Sequence, residues 1–427
     1  MKLVTVEEMR QIEQQADAAG LTYDQMMENA GNGLAEAVLA AYGQVRPRRA
    51  LGLVGPGNNG GDTLVALAAL ARQGWQADAY LVRPRAEGDP LVRRLAEAGG
   101  EIFRAADDPE CQALAELVKD CLVLLDGVLG TGARLPLKGE TAQALAAARQ
   151  AVLQASRPPH VVAVDCPSGV DCESGAAAAE CIPAELTVTM AAVKVGLLRF
   201  PAYSLVGNLE VVGIGSLEGL PAWEAVRRQV VDFDFVRQSL PERLPDAHKG
   251  TFGTALIAAG SVNYTGAALL AGKAAYRVGA GLVTLAVPAP LHAALAGQFP
   301  EATWILLPDE LGVIAAEAAG VLRQNLGRAA ALLVGPGFGL EETTKAFLDR
   351  LLEPGARPAG RGIGFAPPAR GAPGETAALP PLVFDADGLK LLSRLPDWPR
   401  RLAPGAVLTP HPGEMARLLQ LSPTEVE

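Results

Sequence analysis

Three short stretches set oxygen-bearing side chains beside glycines: GPGNNGGD from Gly55 to Asp62, DGVLGTGARLP from Asp126 to Pro136, and DCPSGVD from Asp165 to Asp171. In the first, Gly55, Gly57 and Gly60 allow the backbone to approach a ligand closely, and the free N–H groups of the helix that follows face it. Such a corner favours an anionic or highly polar ligand. Asn58, Asn59 and Asp62 crowd its tip with side-chain oxygens, which suit a cation or a sugar hydroxyl; a tight, solvated turn would use the same residues. In the second stretch Asp126 closes an apolar run, and Gly130, Thr131 and Gly132 form another loop of backbone donors. In the third, Asp165 closes a further apolar run, and Pro167 and Gly169 impose a turn. Together Asn59, Asp126 and Ser168 would suit a hard cation with several loose oxygen contacts. The three glycines also satisfy G-x-G-x-x-G, but a dehydrogenase would need an acid about 20 residues on, closing the second strand. The run Ala77 to Val82 has its only acid, Asp78, near the start. Hydride transfer is therefore not indicated.

These stretches need elements to hold them. The apolar runs Leu51 to Val54, Ala77 to Val82, Cys121 to Leu125 and Val161 to Val164 read as buried strands, separated by helical periods such as Leu64, Leu67, Ala68 and Ala71. That alternation predicts a parallel sheet covered on both faces, with ligands beyond the carboxyl ends of its strands. Upstream, Thr5 and Glu8 fit a capping box opening a helix with Val6, Met9, Ile12 and Ala16 on one face. A second helix is predicted over Tyr23 to Ala41, where Glu28 and Asn29 either reach the site or lie on a solvated face.

The 427 residues are enough for two or three domains, and 49% hydrophobic with 20% charged residues describes a globular protein. A net charge of −10 argues against a nucleic-acid partner. Neither a signal-peptide core nor an 18-residue uncharged apolar stretch occurs, so no membrane contact and a cytoplasmic location are expected. Cys111, Cys121, Cys166, Cys172 and Cys181 lack C-x-x-C spacing, which indicates neither a disulfide framework nor zinc; Cys166 reads as a small buried thiol.

Val231 to Leu244 turns polar and proline-bearing, a linker into a second α/β layered unit. Within that unit, Glu353 to Pro380 is rich in Pro, Gly, Ala and Arg without a period, and is expected to be a surface loop.

The ordered set GPGNNGGD, DGVLGTG, VVAVDCPSGVD and LTVTMAAVKVGLL, between Met1 and Gly215, resembles the N-terminal domain of the bifunctional NAD(P)H-hydrate repair enzymes, the epimerase for hydrated NADH and NADPH. The resemblance implies that Asn58, Asn59, Gly60, Gly61, Asp62, Gly130, Thr131, Gly132, Ala133, Arg134, Leu135, Pro136 and Asp165 contact the hydrated nucleotide. It likewise implies potassium (K+) held by Asn59, Asp126 and Ser168. The damaged ring carries a hydroxyl at C6, and exchanging its two hands needs a proton carrier, for which Asp165 is the candidate. Lys194 reads either as a neutraliser of phosphate or as a solvated lysine. Where the family usually has glycine after GGD, this chain has Thr63, tolerable if the position is helical.

From His248 onward, HKGTFGTALIAAG, LLVGPGFG, PLVFDADGLKLL and TPHPGEMARLL resemble the ribokinase-like dehydratase domain of the same enzymes, which uses ADP or ATP. By that resemblance Ala267, Gly339 and His411 line the hydrated nucleotide, with Asp385 and Asp387 near the same cleft. The family continues past His-Pro-Gly-Glu to a glycine-rich loop ending in an aspartate. The second half contains no Gly-x-Gly-Asp, so a truncated dehydratase beside an intact epimerase is expected.

The expectation is therefore an α/β protein of two three-layer α/β/α domains, a Rossmann-like one over 1–230 and an incomplete ribokinase-like one over 231–427. It acts on a small molecule as a homo-oligomer. A ribokinase-like small-molecule kinase fused to a nucleotide-binding domain, or a nucleotide-binding module without turnover, are the alternatives.

Overall fold

The computed structural model describes residues 1–353 and 379–426. The chain forms two compact units, Met1–Leu240 and Pro241–Glu427. No helix among the described residues is long and apolar enough to cross a membrane.

In the first unit seven strands form one sheet, in the order Ile102–Arg104, Gln76–Leu81, Arg49–Val54, Val123–Gly127, His160–Val164, Leu186–Met190 and Asn208–Val212. Every neighbouring pair is parallel. Side chains alternate across the sheet as the pleat requires. Ala50 and Val54 join the core on one face, while Leu51 and Leu53 join the core on the other. The chain first builds outward from Arg49–Val54 to one edge, then returns to build the other half from Val123–Gly127. Direction therefore reverses between these two strands, and a crevice opens beyond their carboxyl ends. The Asn-rich corner and Asp126 both sit there.

The expected strands are present with boundaries shifted by one or two residues. Asp126, read as closing its strand, is the last residue but one of Val123–Gly127. Asp126 and Gly127 stay in register with Leu53 and Val54, so the carboxylate is held by the ladder itself.

Both early helices carry the caps their sequences spell. Thr5 Oγ1 accepts from the Glu8 N–H at 3.1 Å while Glu8 accepts from the Thr5 N–H at 2.8 Å, and Thr22 pairs with Gln25 in the same way. The helix Asn58–Arg72 has no side-chain cap at Gly57, so its first N–H groups are left for a ligand. Helix Tyr23–Tyr42 packs against it through Gly31, where an added Cβ would lie 2.4 Å from the Cβ of Val65. That close approach brings Met27 and Ala30 over the site.

Val231 to Leu244, expected as a linker, carries a short helix, Phe233–Ser239, capped by Asp232. The second unit is built on six parallel strands in the order Thr303–Leu307, Leu282–Pro288, Thr254–Ala258, Ala331–Val334, Leu382–Phe384 and Val407–Leu408, with an apolar core on each face. Of the proposed surface loop Glu353 to Pro380, residues 354–378 lie outside the described residues.

Candidate active site

A cavity of about 500 Å³ opens at the carboxyl ends of the central strands of the first unit. Its walls include Asn58, Asn59 and Asp62 from the glycine corner, Gly130, Thr131, Gly132 and Ala133 from the second loop, and Asp165 from the third. Gly60, Gly61, Arg134, Leu135 and Pro136 do not face it. Met9, Glu13, Tyr23, Met26 and Met27 complete the wall from the first two helices. The sequence reading missed them; the one available signal was Glu13, four residues after Met9 on the inward face of its helix.

Asp165 ends its strand with φ +63°, a left-handed conformation that Asp and Asn enter more readily than other side-chain-bearing residues. The turn aims its carboxylate back at the neighbouring strand. Oδ1 accepts from the Thr189 hydroxyl at 3.0 Å, from the Met190 N–H at 3.0 Å and from Lys194 Nζ. Among the described residues no donor reaches Oδ2. One oxygen is anchored and the other is available to the cavity.

Lys194 corrects the sequence reading. It is not a solvated lysine: it is 1% exposed, lines the cavity and pairs with Asp165, with its remaining hydrogen bonds to Thr189 Oγ1 at 3.1 Å and the Met190 carbonyl at 2.9 Å. A lone charge inside the apolar text AAVKVGLL was the clue. Glu28 and Asn29 are occupied structurally as well: Glu28 pairs with Arg94 through both oxygens, and Asn29 donates to the Ile214 carbonyl. Cys166 is fully buried, as its reading required.

Beneath the cavity floor, Asp126 is wholly buried. Its Oδ2 accepts from the Ser168 N–H at 2.8 Å, while Oδ1 has no hydrogen-bond partner among the described residues. Burial pushes its carboxyl up to about 6, opposed by the Ser168 hydrogen bonds. Asn59 is buried beside it and donates to the carbonyls of Leu129 and Val164, and Ser168 Oγ accepts from the Leu129 N–H at 2.9 Å. An orphaned carboxylate oxygen among amide, hydroxyl and carbonyl oxygens fits a weakly hydrated monovalent cation such as potassium. Thiolate- or imidazole-seeking metals have no set of ligands here: no group of three His, Cys, Asp or Glu side chains is placed to hold a metal among the described residues.

Thr63 lies inside the helix, fully buried, with Oγ1 donating to the Asn59 carbonyl at 2.7 Å. It presses on the strand: a Cβ at Gly127 would fall 1.8 Å from Thr63 Oγ1. Gly127→Ala should therefore cost about 2 to 3 kcal/mol by overpacking. Thr63→Gly alone should cost about 1 to 3 kcal/mol, mostly from emptying a fully buried position, with a few tenths from helix propensity. Chemical denaturation of the double variant should show a loss smaller than the sum by about 1 kcal/mol, because the two changes meet; strict additivity would contradict the contact.

In the second unit the sequence-selected residues gather at the carboxyl ends of Ala331–Val334, Leu382–Phe384 and Val407–Leu408. The Gly339 N–H donates to Asp387 Oδ2 at 3.1 Å, Lys390 holds Asp387 Oδ1 at 2.9 Å, and Thr409 donates to Asp385 at 2.9 Å. Ala267 packs against Gly337, where an added Cβ would meet its side chain at 2.6 Å. His411 caps helix Pro412–Leu419, accepting from the Gly413 N–H at 3.1 Å, with its side chain 65% exposed.

Residues 23–196 match the family model described as YjeF-related protein N-terminus, and residues 255–356 with 373–426 match the one described as NAD(P)H-hydrate dehydratase. The chain is 34% identical to the bifunctional NAD(P)H-hydrate repair enzyme Nnr of Moorella thermoacetica, over 100% of this chain and 76% of that protein. It is 32% identical to the enzyme of the same name from Thermofilum pendens, again over 100% of this chain and 76% of the relative. Among solved structures, an ADP/ATP-dependent NAD(P)H-hydrate dehydratase from Bacillus subtilis aligns at 30% identity with a TM-score of 0.32, covering 45% of this chain and 56% of that one. The expectation that the second unit is truncated finds no support in these comparisons.

Proposed function

Because the chain belongs to the bifunctional NAD(P)H-hydrate repair enzymes, we propose that its first unit interconverts the two C6 epimers of hydrated NADH and NADPH, with Asp165 carrying the proton. The observation behind this reading is the division of labour within one carboxylate. Three donors fix Oδ1 of Asp165, and Oδ2 is left facing a cavity large enough for a nucleotide's reactive end. The substrate's hydroxyl sits beside its ring nitrogen, whose electron pair supports loss of the oxygen as water. Return of water to the other side of the ring gives the other epimer, so protons move and electrons stay. The uncapped start of Asn58–Arg72 and the loop Gly130 to Ala133 offer backbone donors to the anionic part of the ligand. Arg134, Leu135 and Pro136 would act through that loop's conformation.

Potassium would be held by Asn59, Asp126 and Ser168, where it supplies a positive charge joining three loops. In buffer with choline as the only cation, adding potassium should raise the melting temperature of the protein by several degrees, because a ligand bound only by the folded state stabilises it. Asp126→Asn should remove most of that rise. An equal rise in the variant would exclude Asp126 as a ligand.

For the second unit the corresponding reading is dehydration of the hydrated nucleotide with ADP or ATP, around Ala267, Gly339 and His411. Asp385 and Asp387 stand at the same edge. The test of the leading reading is direct: the purified chain, given one epimer of hydrated NADPH, should bring it to the equilibrium mixture faster than buffer alone. A rate equal to that of buffer would end the assignment.

A further inference from the structure

Three carboxyl groups, Glu13, Asp62 and Asp165, share the cavity with one cation, Lys194. The hydrogen bonds of Lys194 go to Asp165, to the Thr189 hydroxyl and to the Met190 carbonyl, so its charge is spent on Asp165. Asp62 is 7% exposed, points into the same space, and accepts no hydrogen bond among the described residues. An ionised carboxylate in that position would be desolvated without a donor or counter-ion of its own.

The groups facing Asp62 agree. Burial acts first to push its carboxyl well above the usual carboxylate range; Asp165 and Glu13 push the same way, and Lys194 opposes them. Tyr23 lines the same cavity, and Arg85, on the far side of the glycine corner, is engaged by Asp89 and by the carbonyls of Gly55 and Gly57. Helix Tyr23–Tyr42 offers only Met26, Met27 and Ala30 besides Tyr23.

Topology separates the two aspartates. Asp62 is carried by the helix that follows strand Arg49–Val54, Asp165 follows His160–Val164, and Val123–Gly127 runs between those strands. The two carboxyls therefore enter the cavity from separate elements, one on a helix and one on the turn beyond a strand.

We propose that Asp62 is a second catalytic residue of this site, an acid that protonates the departing hydroxyl on one face of the ring while Asp165 receives a proton from the water entering the other. This rests on the epimerase reading above. In one direction the C6–O bond breaks with its electron pair on oxygen, Asp62 supplies the proton, and water departs from a ring cation shared with the ring nitrogen. A water molecule then attacks C6 from the opposite side with an oxygen lone pair, and its surplus proton passes to Asp165. The enzyme is left with the proton on Asp165, set for the reverse conversion. A pair of unlike carboxyls exchanging one proton thus serves both directions.

The test uses the full chain, each epimer of hydrated NADPH in turn, and Asp62→Asn. The expected result is a fall in kcat of about 100-fold in both directions, with KM and the affinity for NADPH within threefold of wild type. In the direction in which Asp62 is the acid, the wild-type rate should fall on the alkaline side as Asp62 loses its proton, and that fall should vanish from the residual activity of Asp62→Asn in the same direction. A variant with unchanged kcat, or with only KM raised, overturns the proposal while leaving the epimerase reading in place. Wild-type protein that does not epimerise at all sinks that reading instead. If Asp62→Asn fails to fold, the wild-type profile still decides: a rate level through the alkaline range overturns the proposal.

Discussion

Asp165→Asn should fold and yet lose epimer exchange by about 100- to 10,000-fold, the usual range for removing a positioned proton carrier. Asparagine is the informative choice because it tolerates the left-handed backbone at this position, where φ is +63°. Its amide oxygen can still accept from Thr189 Oγ1 and the Met190 N–H, so the loop's hydrogen bonds persist. What disappears is the negative charge: the cavity wall loses its proton carrier and buried Lys194 loses its counter-ion, at a cost of about 3 to 5 kcal/mol, so rates are compared on protein shown by circular dichroism to be folded. Asp165→Ala would add backbone strain and orphaned donors, confusing loss of chemistry with loss of structure. Initial rates measured from a single pure epimer, followed by chromatographic separation of the two forms, check the result. A rate within tenfold of wild type would remove Asp165 from the reaction.

Lys194→Met should be strongly destabilising, as it breaks the site's buried ion pair. Methionine can follow the path of the aliphatic stem, so the loss isolates the ammonium. Lys194 is 1% exposed and its partner's side chain 10%. Removing one member of a buried ion pair leaves the other's charge uncompensated and typically costs about 3 to 5 kcal/mol. Urea denaturation would read this as a lower midpoint at an unchanged slope. Catalysis should fall as well, because Lys194 is one of the three groups fixing Oδ1 of Asp165. Replacing both partners, as Asp165→Asn with Lys194→Met, should recover much of the stability and none of the activity. A Lys194→Met protein as stable as wild type would mean that the pair is of no consequence to folding.

Much of the first unit could be read from its sequence for a physical reason: strands buried on both faces are written as unbroken apolar runs, and acids that end them stand out. GPGNNGGD, Asp126 and Asp165 were visible because each interrupts such a run. The register that carries Asp126 into the ladder beside Leu53 was not visible, since strand ends depend on partners far away in the chain. Lys194 and Glu13 were missed or misread for a related reason. Whether a charge on a helix or strand faces water or a cavity is decided by packing, as between the helices that meet at Gly31 and Val65, and a single sequence does not encode that locally. In the second unit the clustered residues were found by motif alone, and their hydrogen bonds show them braced by one another through Lys390, Asp387 and Gly339.

The left-handed backbone at position 165 also narrows what mutation can put there. Valine or isoleucine would clash with their own main chain, so a saturation library selected for folding alone should return aspartate first, with asparagine and glycine depleted because the bend accepts them but Lys194 is left without its counter-ion. Screened again for turnover, the same library should collapse to aspartate, the one residue that meets the demands of the bend and of the reaction together.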